Sequence, residues 1–247
     1  MAVAAEPNNE ILRSLPPEIL EQFRPRLRLI KLAVGQVLYE PGDDVDRVYF
    51  PESGLISLVT PMRDGHDVEN TSRGRDGGIG YVEACGSEMM VSRAVVQIKG
   101  EAWCLAACDY RDAYEASGAM RNLIQRRTEI LLADARQASA CRAVHPASGR
   151  LGRTLLECYH HTGDLRLPLT QEFLAGMIGV GRTTVTHAAG RLQDLKLIRY
   201  SRGVVVISDM EGLKRHVCEC YEVLREVRRD ILNRNPHTDR APRTASR

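Results

Sequence analysis

The chain has 247 residues, 43% of them hydrophobic, and a formal net charge of +2. The length exceeds one average domain and the apolar share suffices for a packed core, so two domains are expected; so small a net charge says nothing by itself about nucleic acid. No run of about 18 uninterrupted apolar residues occurs, and MAVAAEPNNE has no basic region leading into an apolar one, so neither a membrane-spanning helix nor a signal peptide is expected, and the expected location is cytoplasmic.

Residues 1–10 read as loose, and ILRSLPPEILEQF as a short amphipathic helical stretch interrupted by Pro16-Pro17. From Leu27 to Leu105 the pattern turns to strands: LRLIKL, QVLYE, RVYF, GLISLVT, RAVVQI and EAWCLA, separated by the turn signals PGDD, PESG and RDGHD. Many short strands at close spacing predict a β-barrel or roll. YRDAYEAS reads as a short helix, followed by a long one over Gly118–Val144. Its apolar stripe is Met120, Leu123, Ile124, Leu131, Ala135, Ala138 and Cys141, and the spacings of three and four fit a coiled-coil seam. Leu123, Ile124, Leu131 and Ala138 are expected to meet a second copy of the chain; the alternative is a helix packed on its own β-domain. Pro146 opens a further helix to about His161, ended by TGD.

Farther on, Phe173, Leu174, Met177 and Ile178 mark one helical face behind the N-cap candidate Thr170. Gly179 supplies a tight turn. Val185, Ala188, Ala189, Leu192 and Leu195 then mark the core face of a second helix, whose opposite face carries Arg182, Thr183, Thr186 and His187. Leu197–Tyr200 and Val204–Ile207 read as strands joined by Ser201-Arg202-Gly203. Two helices, a tight turn and a hairpin predict a winged helix-turn-helix, which presents its second helix to the DNA major groove. Arg182 is the natural guanine reader, because its fork matches O6 and N7. Thr183, Thr184, Thr186, His187, Arg191 and Arg202 complete the expected contacts on that helix and hairpin. The competing reading is a plain helical hairpin with a solvated face. From Asp209, DMEGLKRHVCECYEVLREVRRDILNR reads as one final helix, and NPHTDRAPRTASR as a disordered tail.

Charge is unevenly distributed. Residues 1–141 hold 16 basic and 21 acidic side chains, whereas residues 142–247 hold 18 and 11. The basic half is the helix-turn-helix half, the footprint of a part that meets phosphates. The seven cysteines are odd in number and scattered, and most are expected to be small buried hydrophobes. The fold class expected is therefore α+β: a jelly-roll-like β-roll sensor domain (1–116), a dimerisation helix (117–144), a winged helix-turn-helix with a C-terminal helix (145–233) and a disordered tail (234–247).

This order resembles the Crp/Fnr family of bacterial transcription regulators. The resemblance spans roughly residues 10–210 and is strongest in LPLTQEFLAGMIGVGRTTVTHAAGRLQDLKLIRY; VGQVLYEPGDDVDRVYFPESGLISLV is similar to the family's first roll strands. SRAVVQI, ACRAVHPASGRLGRTLLE and CECY are similar to a subgroup of unassigned effector. The resemblance implies a homodimer on double-stranded DNA, with Arg182 as base reader and Thr170 and Gln171 on phosphates. Thr183 stands where the catabolite activator has a glutamate, and His187 where it has a second arginine, which implies a different operator. In the sensor pocket, Gly78 replaces the ribose-binding glutamate of cyclic-nucleotide binders. Arg93-Ala94 keeps the arginine of the phosphate-binding pair without its hydroxyl partner. A cyclic nucleotide is therefore not the expected effector, and Arg93 is read either as an anion site or, preferably, as a structural arginine.

The iron–sulfur branch of the family places its cysteines near the N-terminus, whereas the first one here is Cys85. Cys104 and Cys108, or Cys218 and Cys220, do not make a four-ligand set, so no metal and no cofactor are expected. His66 beside Asp67 is too weak a signal for haem, and Cys141 is a minor candidate for oxidation across a dimer. Two further readings compete: a thiol- or metal-responsive DNA-binding sensor, and an enzyme using Cys158, His160 and His161. The last lacks a third orienting group, a nucleophile elbow and a phosphate loop. Activation would require a patch touching RNA polymerase, and no residue pattern identifies one.

Overall fold

The computed structural model describes residues 6–63 and 67–234. His66 and the tail from residue 235 onward lie outside the described residues. Helix α1 (Glu10–Ser14) is capped by Asn9, whose side chain accepts from the N–H groups of Ile11 and Leu12. Helix α2 (Pro17–Phe23) starts on Pro17, at a position where a missing N–H costs nothing.

Seven strands follow: β1 (Arg28–Leu32), β2 (Val37–Tyr39), β3 (Arg47–Pro51), β4 (Leu55–Pro61), β5 (Asp67–Arg73), β6 (Arg93–Ile98) and β7 (Gly100–Ala106). They form two antiparallel sheets, ordered β1-β7-β3 and β2-β6-β4-β5. In β6, Ala94, Val96 and Ile98 are buried and alternate with Arg93, Val95 and Gln97, as a sheet with one inner face requires. Phe23, Phe50 and Tyr110 fill the roll's core, with ring centroids 6.1–6.2 Å apart. Gly54 sits at φ +82°, and a Cβ there would lie 2.5 Å from the Ile98 carbonyl oxygen, so only glycine fits this turn. Strand β5, DVENTSR, has little intrinsic strand preference. The ladder from β4 holds it extended, pairing Leu58 with Thr71 and Val59 with Glu69.

Helices α3 (Ala107–Ala116) and α4 (Gly118–Val144) leave the roll. Ser117 caps α4 by accepting from Met120 N–H, and 27 residues give a rod of roughly 40 Å. Met120, Leu123 and Ile124 sink into the roll's own core. The second half of the chain comprises α5 (Ala147–Thr162), β8 (Arg166–Leu167), α6 (Gln171–Ile178), α7 (Arg182–Asp194), β9 (Ile198–Ser201), β10 (Val204–Ile207), α8 (Met210–His216) and α9 (Cys220–Asn233). Its core gathers Leu151, Leu155, Leu174, Val185, Leu192 and Ile207, and Leu55 and Ile98 of the roll join it.

The single final helix expected after Asp209 is two helices. Leu213 of α8 is buried, with α8 against α5, while Tyr221 and Leu224 of α9 are buried, with α9 against α4. One straight rod cannot serve both directions. Val217 breaks it by turning extended and packing on Gly152, which has no room for a side chain.

A buried charge network lies where these parts meet. Asp134 of α4 accepts from Arg228 of α9 at 2.9 and 3.2 Å and from Arg73 of β5 at 3.3 Å. Asp76, after β5, contacts Nδ1 of His161 on α5 at 2.6 Å and Arg228 at 3.5 Å. Burial pushes the Asp76 carboxyl up, but the charges of His161 and Arg228 outweigh it and hold the group well below its ordinary value.

Glu69 is the opposite case. It is buried on β5, and only one carboxylate oxygen finds a partner, the Ser57 hydroxyl at 3.0 Å. Burial raises its pKa to about 8, against the lowering effects of Ser57 and Arg142. The folded state therefore holds a proton there that the unfolded chain gives up near the ordinary glutamate value of 4.5. Stability from this group is full below the unfolded pKa and is lost as pH rises through 8. Glu69→Gln should remove this loss. Urea unfolding between pH 5 and 9 should show the variant gaining on the native chain as pH rises; a constant difference would mean that Glu69 is ionised in the fold throughout.

Candidate DNA-binding surface

Thr170 caps α6 by accepting from Phe173 N–H at 3.1 Å, so its hydroxyl oxygen is already engaged when the helix forms. Gly179, at φ +64°, closes α6 in the left-handed conformation and turns the chain into α7. Helix α7 then buries Val185, Ala188, Ala189 and Leu192 and leaves Arg182, Thr183, Thr184, Thr186, His187 and Arg191 exposed. Leu195, read as part of the buried face, is 52% exposed, because the helix ends at Asp194. Gln171 is half-buried at the start of α6.

Two of the polar side chains are not idle. Thr186 donates its hydroxyl to the Arg182 carbonyl at 3.1 Å, one turn back, so it offers an acceptor outward. Arg182 pairs with Glu172 of α6 at 2.6 Å, with both side chains mostly exposed. Exposed pairs of this kind are worth about 0–1 kcal/mol, so a base edge can displace Glu172 at little cost.

The wing has three strands, ordered β8-β10-β9. Strand β8 has only two residues and escaped the sequence reading, yet it changes the surface. Val206 pairs with Arg166 on one side and Arg199 on the other. Val205 and Ile207 face the core, so Arg166 and Arg199 flank Val206 on the outer face, and both are exposed. Gln193 ties α7 to the wing by accepting from Tyr200 N–H at 2.8 Å. Ser201 pairs with Val204, leaving a two-residue loop in which Arg202 and Gly203 have φ of +50° and +75°. That is the geometry of a type I′ turn.

Residues 149–216 match a family model described as a Crp-like helix-turn-helix domain. This segment of the chain is therefore a Crp-like helix-turn-helix domain. The fold of most of the chain is similar to that of several solved regulators. FixK2 from Bradyrhizobium japonicum superposes with a TM-score of 0.68 at 13% identity, over 78% of this chain and 98% of the other. A Crp/Fnr family transcriptional regulator from Thermus thermophilus gives 0.63 at 22%, over 79% and 98%. The c-di-GMP responsive global regulator CLP from Xanthomonas campestris gives 0.63 at 16%, over 78% and 99%. No curated protein matches the sequence. The matched segment includes all of α6, α7 and the wing, which supports a DNA-binding role for this part of the chain.

The sensor positions named from the family have different neighbours in the structure. Gly78 is buried, and a Cβ there would stand 3.1 Å from the Tyr49 carbonyl oxygen and 3.2 Å from the Tyr81 ring, so a side chain at this position requires its neighbours to shift. Arg93 donates to Glu40 at 2.9 Å and to Asp67 at 3.0 Å, so two carboxylates already occupy its guanidinium. A cleft of about 770 Å³ separates β4–β6 from α6, with Glu69, Val95, Glu172, Phe173 and Arg182 among its walls.

Cys158, His160 and His161 do not assemble into a catalytic group. Cys158 is fully buried and burial raises its thiol well above the ordinary value. His161 is engaged by Asp76. No four-ligand set is apparent in the sequence, yet the fold brings Cys141, His145, Cys218 and Cys220 together, with their donor atoms all within 4.8 Å of one another. The signal was invisible because Cys141 and His145 end α4 while Cys218 and Cys220 lie beyond the wing.

Arg202 carries a strain that a test can exploit. A non-glycine residue in this region costs on the order of 1 kcal/mol. Arg202→Gly should leave the melting temperature equal or higher. It should also weaken binding to unspecific DNA and lower the salt slope by about one. Melting curves and fluorescence anisotropy over a salt series read both, and an unchanged slope would mean that Arg202 touches no phosphate.

Proposed function

We propose that the chain acts as a homodimer that reads a two-fold-symmetric operator through α7, under the control of a signal received at the roll. The observation that carries this reading is the split of α7 into a buried apolar face and an exposed face led by Arg182, beside a wing that carries Arg166 and Arg199 on its outer face and Arg202 in its turn. Arg182, Thr183, Thr184, Thr186 and His187 supply base-edge or phosphate contacts. Thr170, Gln171 and Arg191, with the wing arginines, supply phosphate contacts that set register.

Two-fold operators require a two-fold protein, and α4 offers the surface. Leu123 and Ile124 are not available for it, because they are buried in their own chain's roll; Leu131 and Ala138 are half-buried. The exposed face instead carries Asn122, Gln125, Glu129, Leu132, Arg136 and Ser139, at alternating spacings of three and four. Leu132, 49% exposed, is its large apolar residue. Leu132→Asp should yield monomers in sedimentation velocity with intact helicity and little specific DNA binding; a dimer in that variant would place the interface elsewhere.

Engaged as it is by Glu40 and Asp67, Arg93 does not favour a cyclic phosphate, and Gly78 supplies no ribose-binding carboxylate. A second reading, a thiol- or metal-responsive regulator, is favoured by the Cys141–His145–Cys218–Cys220 cluster alone.

The operator reading is tested with Arg182→Ala. On an operator selected from random DNA, the variant should lose about 1–3 kcal/mol and relax preference at one base pair per half-site. Equal weakening on all sequences would assign Arg182 to a phosphate instead.

A further inference from the structure

We propose that Cys141, His145, Cys218 and Cys220 form a tetrahedral site for one zinc ion, which clasps the end of α4 to the turn between α8 and α9. The distances are those of a single-ion site. Cys141 and Cys218 sulfurs are 3.6 Å apart, and Cys220 Sγ is 3.5 Å from His145 Nδ1. With Zn–S near 2.3 Å and Zn–N near 2.0–2.1 Å, a tetrahedron has S···S edges of about 3.8 Å and S···N edges of about 3.6 Å. An iron–sulfur cluster sets several irons between its thiolates and holds them farther apart. Three thiolates and an imidazole select a borderline-soft ion, and four protein donors leave no open position, so the site is structural rather than catalytic.

Its surroundings are those of a ligand shell. Cys141 lies on the last turn of α4 and His145, four residues on, is the C-cap of that helix, its N–H donating to the Cys141 carbonyl. His145 turns its other nitrogen, Nε2, to the Glu219 carboxylate at 3.2 Å, which fixes the tautomer that leaves Nδ1 free for a metal. Gln137 donates to Cys220 Sγ at 3.0 Å, a bond that favours the thiolate. Arg153 is buried nearby, and its charge acts on Cys141, Cys218 and Cys220 as well as on its partner Glu157. Hydrogen bonding from Cys218 pulls the Cys141 thiol down to about 5 against the effect of burial, and Arg153 adds to the pull; Cys218 is correspondingly pushed up. A divalent ion would take all three sulfurs as thiolates, with Cys218 and Cys220 giving up their protons to solvent.

The site also accounts for the break after α8. Residues 217–219 leave the helix between two segments that pack on α5 and on α4, and Cys218 and Cys220 lie at that break. An ion there ties the rod from the roll to the segment that closes the DNA-reading half.

Full-length protein purified under reducing conditions should carry close to one zinc per chain by elemental analysis. Cys218→Ser, Cys141→Ser and His145→Ala should each carry less than a tenth of that, whereas Cys104→Ser should keep it. After chelation, added cobalt should give the visible bands of tetrahedral thiolate coordination. Added zinc should raise the melting temperature, and chelator should reverse the rise. Those wild-type measurements stand even if a variant fails to fold. Reduced wild-type chain that holds no zinc and takes up no cobalt would overturn the site, as would full metal content in Cys218→Ser. So would a Cys141–Cys218 disulfide that, once reduced, leaves cobalt unbound. None of these readouts involves DNA, so the outcome is separate from that of the operator reading.

Discussion

Everything in this molecule depends on how a β-roll and a helix-turn-helix are held in one register, and the buried pair Asp134 and Asp76 does that work. Asp134 sits on α4, Asp76 just after β5, and their partners come from β5, α5 and α9. Burying ions yields little net stability, but removing one partner of such a set costs about 3–5 kcal/mol, because an unpaired charge is left behind. The network therefore acts chiefly by exclusion: any packing of the two halves that separates these groups is penalised. His161 adds a second constraint. A Cβ on Gly74 would lie 2.6 Å from the His161 Cβ, so the roll and α5 meet at backbone distance.

From that junction the structure extends along α4. One end of the rod is sunk in the roll through Met120, Leu123 and Ile124, and the other ends at Cys141 and His145. Two fastenings, ionic in the middle and cysteine-rich at the end, hold α9 along α4. The DNA-reading face has no comparable fastening. Its arginines are exposed, and the Arg182–Glu172 pair is weak enough to exchange for a nucleic-acid partner. Rigidity is concentrated in the frame and polar freedom at the surface that meets DNA, which is the division a sequence reader needs.

What the sequence disclosed followed local physics. Helix α4 was legible to the residue because Ser117 and Pro146 bracket an uninterrupted helical run. The face of α7 was legible because Val185, Ala188, Ala189 and Leu192 keep the period. Strand β5 was not, since Asp67, Glu69 and Asn70 oppose a strand and only pairing with β4 makes one. The apolar stripe of α4 shows a related limit, since Leu123 and Ile124 pack into the roll of their own chain. Period alone finds an apolar stripe, but cannot say whether Leu123 and Ile124 face a partner or their own roll. The Cys/His cluster was beyond reach, because its members converge only when α9 folds back along α4. Arg166 and Arg199 were missed with the two-residue strand β8.

Recognition of a two-fold DNA sequence through α7 can be read by genome-wide binding of the tagged, full-length protein. Sharp peaks should share an inverted repeat, with half-site centres about 10–10.5 base pairs apart or a multiple of that, and the shared motif should be lost in Arg182→Ala. Enrichment that follows no sequence, or a motif without two-fold symmetry that survives Arg182→Ala, would contradict it.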